Sequence, residues 1–327
     1  MDFTKPWWDN NMAEGMSINE KLYFATGDLL TSDNDATFII MFNKQLAKDC
    51  KLPDLYSLVE NNEWTMEQFY EFEQLAVQDN GGTAGKLDYD TDVCGFAYTV
   101  DVPYCMLFGG GVTMCTKDED DLPVYELDVE LAQNIADVGK LIFSKDFSID
   151  LNAVVNAGGI SMYDAGVKTF GENHALFMGE VMQCVTRMRV ADVDFGILPY
   201  PMYNEAQGEY KSLNWNGVMF VPASIKDPEM VGDVLELLAF YTPPVQKAYY
   251  EDLLGSKLSD APEDAEMLDV IWDSVVTDIG MVSANLSGMD PLLYMFPNLC
   301  LDGVQGYSSY VARNTRSANR ALEKLFG

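Results

Sequence analysis

The residues best suited to chemistry in this sequence are aromatics, amides and carboxylates placed where strand-like runs meet loops. In "SLNWNGVMFVPASI" (212–225), Trp215 stands between Asn214 and Asn216, just ahead of Gly217 and the apolar run Val218 to Pro222. Tyr104 follows Asp101 and Pro103 in "DVPYCMLFGGG", and Asp35 lies just before "TFIIMF". Flat rings stack on the apolar face of a sugar, while amides and carboxylates satisfy its hydroxyls. Junctions of strand and loop are also where open α/β sheets hold their ligands. Any one of these rings is more simply a core residue, since the chain has 5 Trp and 17 Tyr. Ring and amide or carboxylate together are the residue types a sugar would use, and each alone is more simply structural.

Most catalytic machinery is missing from the inventory. His174, in "FGENHALF", is the single histidine, so a Ser-His-Asp or Cys-His apparatus would rest on that one residue. It reads as a polar residue at a strand entrance. HExxH, GxSxG, a P-loop and GxGxxG after a strand are all absent. Asp88, Asp90 and Asp92 in "DYDTDVCG" match the first three ligand positions of an EF-hand, but Val93 occupies the position that needs glycine and Thr99 that of the bidentate Glu. No metal ligand set and no cofactor is assigned. The 6 cysteines are never spaced as CxxC. Cys105 and Cys115 can meet across "FGGG" as a disulfide, or be buried thiols. With 52 acidic residues, a glycoside hydrolase using a carboxylate pair is the rival reading, although no productive pair stands out.

Charge narrows the partners. Against 52 Asp and Glu there are 20 Lys and Arg, a formal charge of -32. Such a surface repels phosphate backbones and anionic membranes, leaving neutral or cationic small molecules. No apolar run reaches the roughly 18–20 residues that span a bilayer.

Positioning these groups requires a framework, and 327 residues suffice for about two domains. "TFIIMF" (37–42) has the continuous apolar character of a strand covered on both faces. In "WTMEQFYEFEQLA", Thr65 and Gln68 predict a capping box, with Phe69, Phe72, Leu75 and Ala76 on the buried face. Asp128 caps a second helix whose stripe is Leu131, Ile135, Val138 and Ile142. In "KDPEMVGDVLELLAFYTPP", Asp227 is the N-cap and Pro228 the first helical residue. Met230, Val231, Val234, Leu237, Leu238 and Tyr241 form its buried face, and Pro243 and Pro244 stop it. Val311 to Phe326 reads as a helix whose Arg313, Arg316, Arg320 and Lys324 are solvated. "VDFGILPYP" and "GVMFVPASI" add strands. The result is an α/β chain that crosses between two lobes more than once.

In order and spacing, "TFIIMFNKQLAKD…LPDLYSLVENNEWTMEQFYEFEQLA", "TFGENHALFMGEVM", "VDFGILPYPM" and "WNGVMFVPASIKDPEMVGDVLELLAFYT" resemble extracellular solute-binding proteins of the sugar ABC-transporter type. The resemblance implies a type II two-lobe, periplasmic-binding-protein-like fold. It places a partial first lobe at 1–38 and 217–250, and a second lobe at 39–216 and 251–327 that carries the C-terminal helices. Hinge strands are expected at Thr37 to Phe42 and at Gly217 to Pro222. The implied function is non-enzymatic: a bacterial lipoprotein on the outer face of the membrane, or a periplasmic protein, acting as a monomer that hands an oligosaccharide to ABC permease subunits. The implied ligand groups are Trp215, Tyr104, Asp35, Asp101, Asn214 and Asn216, together with Glu180. Glu180 and Met182 fall where such proteins present a stacking aromatic. At roughly 30 residues per βαβ unit, first-lobe units on the order of 100 residues have no counterpart here.

Overall fold

The computed structural model describes residues 1–30, 32–81, 86–215, 217–250, 262–282, 297–301 and 306–326. Its centre is a five-stranded sheet built from β1 (Phe38–Asn43), β2 (Cys94–Tyr98), β3 (Ser148–Asp150), β4 (Ala175–Val181) and β5 (Phe195–Leu198), in the order β3-β2-β4-β1-β5. β2 runs parallel to β3 and β4, whereas β1 runs antiparallel to β4 and β5, with Phe38 opposite Val181 and Phe42 opposite Phe177. All six residues of β1 are buried, as the unbroken apolar run anticipates. Full burial of a side chain such as Ile39 or Ile40 contributes about 1.5–3 kcal/mol. The mixed directions put the C-terminal ends of β2 and β4 beside the N-terminal end of β1.

Helices cover both faces of the sheet, beginning with α1 (Lys44–Asp49), which follows β1 directly. The Thr65 hydroxyl accepts from the Gln68 N–H at the start of α2 (Met66–Ala76), which is half of the anticipated capping box. Phe69 of this helix lies 4.7 Å from Phe177 and 4.9 Å from Phe96, ring centre to ring centre. Leu75, expected inside, is 60% exposed, and Glu73 takes the inward position. At 100° per residue, positions 69, 72, 73 and 76 form one stripe and 75 turns away from it. Close approach there depends on Gly95 of β2, where a Cβ would stand 2.3 Å from the Glu73 carbonyl oxygen. α3 (Val102–Gly109) is wholly buried. α4 (Val129–Ile142) is capped by Asp128, which accepts from Leu131 N–H at 2.9 Å, and buries Ile135 and Ile142. α5 (Gln183–Arg187) follows β4.

The segments outside the sheet depart from expectation. Gly217 to Pro222 forms no strand: Met219 pairs singly with Ala25 through two backbone bonds of 2.8 and 2.9 Å, while Val218 and Phe220 are exposed. α6 (Pro228–Tyr241) starts where predicted, with Asp227 accepting from Met230 N–H at 3.0 Å. Its apolar stripe, however, faces outward: Met230, Val234, Leu237, Leu238 and Tyr241 are about half exposed or more, and Ala239 is the buried residue. A stripe becomes buried only against a facing layer, and among the described residues none covers this one. Pro243 and Pro244 stop that helix but open a short one, Pro243–Ala248. α7 (Pro262–Asp273) and α8 (Tyr307–Phe326) complete the fold; α8 buries Tyr307, Val311, Ala318 and Leu322 and leaves its Arg residues and Lys324 exposed. All six cysteines are free, so Cys105 and Cys115 are not bridged. Among the described residues no helix is long and apolar enough to cross a membrane.

Candidate functional site

Five of the anticipated residues gather where the ends of β2, β4 and β1 meet. The chain leaves β2 at Tyr98 and reaches Asp101 at the N-cap position of α3, where its side chain makes no cap hydrogen bond. Val102 then begins the helix, and Pro103 and Tyr104 follow in its first turn. Glu180 sits near the end of β4, opposite Ile39 of β1. Asp35 lies just upstream of β1. Opposite that segment, Thr37 pairs with Asn214 as an antiparallel bridge, and Trp215 N–H donates to the Ala36 carbonyl at 3.2 Å. This crossing, shorter than the expected pair of hinge strands, brings Trp215 to the end of the sheet where β1 begins.

The Trp215 ring is 42% exposed. It is backed by Tyr104, 6.2 Å away and tilted, and by Phe38, 6.0 Å away and edge-on. The supporting Tyr104 is itself buried. An indole held from behind and open in front is a platform for an apolar ring face.

Acidic groups flank that platform. Burial pushes the Glu180 carboxyl up from its ordinary range, and the charge of Asp101 adds to the effect, while its own Val181 N–H and Arg187 oppose it. Asp101 is pushed up by burial. So is Asp35, against the opposing effects of a Tyr249 hydrogen bond and the Arg187 charge. The Tyr249 hydroxyl donates to Asp35 Oδ1. Carboxylates deprived of water and short of cations gain from hydroxyl donors. Arg187, at the end of α5, supplies the local positive charge and is held by Gln183 Oε1 at 2.5 Å.

Other anticipated residues fare differently. Asn214 spends its Nδ2 on the Asp33 carbonyl, at 2.7 Å, and on Thr37 Oγ1, at 3.0 Å. Neighbours in an extended segment point to opposite sides, so Asn214 faces away from the Trp215 platform. Asn216 lies outside the described residues. Met182 is fully buried and its N–H donates to the Thr37 carbonyl at 2.8 Å, so it holds the crossing rather than lining the surface. His174 Nδ1 lies 3.0 Å from the Asp92 carbonyl oxygen, at the entrance of β4. Asp92 braces a turn by accepting from Asn80 N–H, at 2.9 Å, and Asp88 N–H, at 2.8 Å. Among the described residues no group of His, Cys, Asp and Glu is arranged to hold a metal ion. Sequence reasoning missed Arg187 and Tyr249. A cation in so acidic a chain was the available signal for Arg187, and Tyr249 offered none.

The mixed α/β fold is similar to that of solved two-lobe, periplasmic-binding-protein-like structures, which match it over most of this chain. One is the maltose/maltodextrin-binding domain MalE from Bdellovibrio bacteriovorus bound to maltotriose, with TM-score 0.59 and 15% identity, covering 98% of this chain and 76% of that one. UgpB from Mycobacterium tuberculosis in complex with glycerophosphocholine matches with TM-score 0.58 and 16% identity, over 87% of this chain and 69% of that one. The ABC substrate-binding protein Lmo0181 from Listeria monocytogenes in complex with cycloalternan matches with TM-score 0.59 and 10% identity, over 99% and 77%. No family model matches the sequence, and no curated protein matches it.

Proposed function

We propose that this chain is the substrate-binding component of a carbohydrate ABC importer, holding an oligosaccharide at the Trp215 edge of the sheet and presenting it to membrane permease subunits. The observation that carries this reading is the exposed Trp215 ring, backed by Tyr104 and flanked by Asp101, Glu180, Asp35 and Arg187. The ring supplies stacking; the carboxylates and the guanidinium supply acceptors and donors for hydroxyls. The similar fold of a MalE domain bound to maltotriose and of a substrate-binding protein in complex with cycloalternan supports the same ligand class. The protein is non-catalytic in this reading, works as a monomer, and acts outside the cytoplasmic membrane, lipid-anchored or periplasmic.

Residues 1–38 and 217–250 then belong to the first lobe, and 39–216 with 251–327 to the second. The outward apolar face of α6 supports a first lobe that is incomplete in this chain. Ligand contact with both lobes would stabilise a closed form.

The test is thermal unfolding with a panel of oligosaccharides, peptides and polyamines. A rise in Tm with one or more oligosaccharides is expected. A rise with peptides or polyamines alone overturns the carbohydrate assignment, and release of a chromogenic aglycone would favour the glycosidase instead.

A further inference from the structure

α8 carries Arg313, Arg316, Arg320 and Lys324 in a chain of formal charge -32 that has 20 Lys and Arg in all. At 100° per residue the four cations occupy an arc of about 80°, and the buried Tyr307, Val311, Ala318 and Leu322 an arc of about 60° on the opposite side. All four cations are exposed. The helix is held against rolling by Asn319, which accepts from the Tyr125 N–H at 2.7 Å and donates to the Tyr125 carbonyl at 3.2 Å. The stripe therefore points away from the body of the protein, over a length of about 16 Å at 1.5 Å per residue.

Nothing in the helix neutralises this row. Arg316 and Arg320 are four residues apart, as are Arg320 and Lys324, while Arg313 and Arg316 are three apart; like charges at these spacings destabilise a helix. Among the described residues none of the four makes an ion pair. Glu323, the one acidic residue of α8, stands at the edge of the stripe. The helix dipole favours cations in the last turn, which holds Lys324, but Arg313 and Arg316 lie about two turns or more upstream of it. Arg313 is backed by the Tyr310 ring, 5.5 Å from guanidinium carbon to ring centre. A self-repelling row of cations that the dipole does not account for, aimed outward, fits an acidic partner.

We propose that the outer face of α8 is a docking surface for an acidic segment of another polypeptide, one that sets several carboxylates along the length of the stripe. Charge complementarity selects this occupant. Fields are screened over about 8 Å at physiological salt, so a narrow acidic segment laid on α8 meets these cations ahead of the rest of the chain. An anionic membrane or a nucleic acid wide enough to cover the stripe meets the surrounding acids as well. The hairpin packed beside α8, Cys115–Lys117 with Pro123–Tyr125, carries exposed Asp118, Glu119, Asp120 and Glu126. The surface is separate from the Trp215 platform and does not rest on the carbohydrate reading.

Fluorescence anisotropy of a labelled peptide of about twelve glutamates, long enough to follow the stripe, tests the surface when titrated with the full chain. Binding is expected at about 0.05 M salt and should weaken steeply by about 0.3 M. A variant with Arg313→Gln, Arg316→Gln, Arg320→Gln and Lys324→Gln should lose about tenfold or more in affinity, since each exposed pair is weak and four act together. Its Tm should match or exceed the parent's, because the four groups are exposed and their repulsion is relieved. A control with Lys48→Gln, Lys140→Gln, Lys145→Gln and Lys226→Gln removes the same charge from other exposed positions and should bind the peptide as the parent does. Absence of peptide binding, equal loss in the two variants, or loss in neither overturns the docking surface. So does binding to vesicles of phosphatidylglycerol and phosphatidylcholine, at about three to seven, that the α8 variant loses; that result would assign the stripe to a membrane. Oligosaccharide binding should be the same in both variants, so this reading and the carbohydrate reading fail independently.

Discussion

The Tyr104 and Trp215 rings stand 6.2 Å apart at 47°, one buried and the other 42% exposed. The pair divides labour. Tyr104 is fixed by the wholly buried α3, and Trp215 rides on the crossing segment, so the exposed ring has a rigid back wall and needs little ordering when a ligand arrives.

Replacing the exposed ring separates binding from folding. Trp215→Ala should weaken an oligosaccharide by about 1–3 kcal/mol, the scale of a well-placed aromatic anchor. Its unfolding midpoint in urea should fall only modestly, because 42% of the residue stays exposed in the folded state and the rings behind it remain packed. Calorimetry together with urea denaturation checks both; a large loss of stability would mark Trp215 as core.

Glu73 sets a pH dependence. It is fully buried, its Oε2 lies 3.3 Å from Ser148 Oγ, and its Oε1 has no partner among the described residues. Burial pushes its carboxyl well above the usual range, with Ser148 opposing. The folded state therefore keeps the proton to higher pH than the unfolded state, whose Glu titrates near about 4.3. Its contribution to stability is intact below that value. Above it the contribution is lost at up to about 1.4 kcal/mol per pH unit, until the folded carboxyl also ionises. Glu73→Gln should abolish this slope, so the gap in urea stability between variant and parent should grow in the variant's favour from pH 4 towards pH 7.

Asp264 ties α7 to the helical segment that follows β1. It is 2% exposed, accepts from Tyr56 hydroxyl at 2.5 Å and pairs with Lys44 at 3.1 Å. Burial, the largest cause, pushes the Tyr56 phenol far above its usual range, and the hydrogen bond to Asp264 and its charge add to the effect. Asp264→Ala should cost about 2–3 kcal/mol in chemical denaturation, as one buried charged partner is removed and the other groups are stranded. Tyr56→Phe should cost less, because it deletes one donor and leaves the Lys44 pair.

The outward stripe of α6 is an apolar patch. The chain should enhance the fluorescence of an apolar dye such as anilinonaphthalene sulfonate while fully folded. Leu237→Glu combined with Leu238→Glu should reduce that signal without lowering Tm, since both residues are at least half exposed. An unchanged signal would place the dye elsewhere.

Much of the framework is legible in the amino-acid sequence. Short-range signals make it so: the unbroken run that forms β1, the Asp128 and Asp227 caps, and the 3.6-residue spacing of α4 and α8 all act within a few residues of one another. The same signals mislead where packing decides. Leu75 and Glu73 exchange places because a difference of two positions turns the helix by about 200°, and the stripe of α6 has the right period but no facing layer among the described residues.

By itself, then, the sequence determined the α/β class, the main elements and the aromatic and acidic character of the site, because periodicity, capping and composition are local properties. Tertiary structure alone decided which of those groups meet. Tyr249 bonds Asp35 across 214 residues of chain, Arg187 comes near Glu180 only after α5 turns back from β4, and Asn214 and Trp215, adjacent in sequence, end on opposite sides of the crossing. Such pairings are fixed by strand order and backbone direction, which no stretch of sequence around either partner encodes.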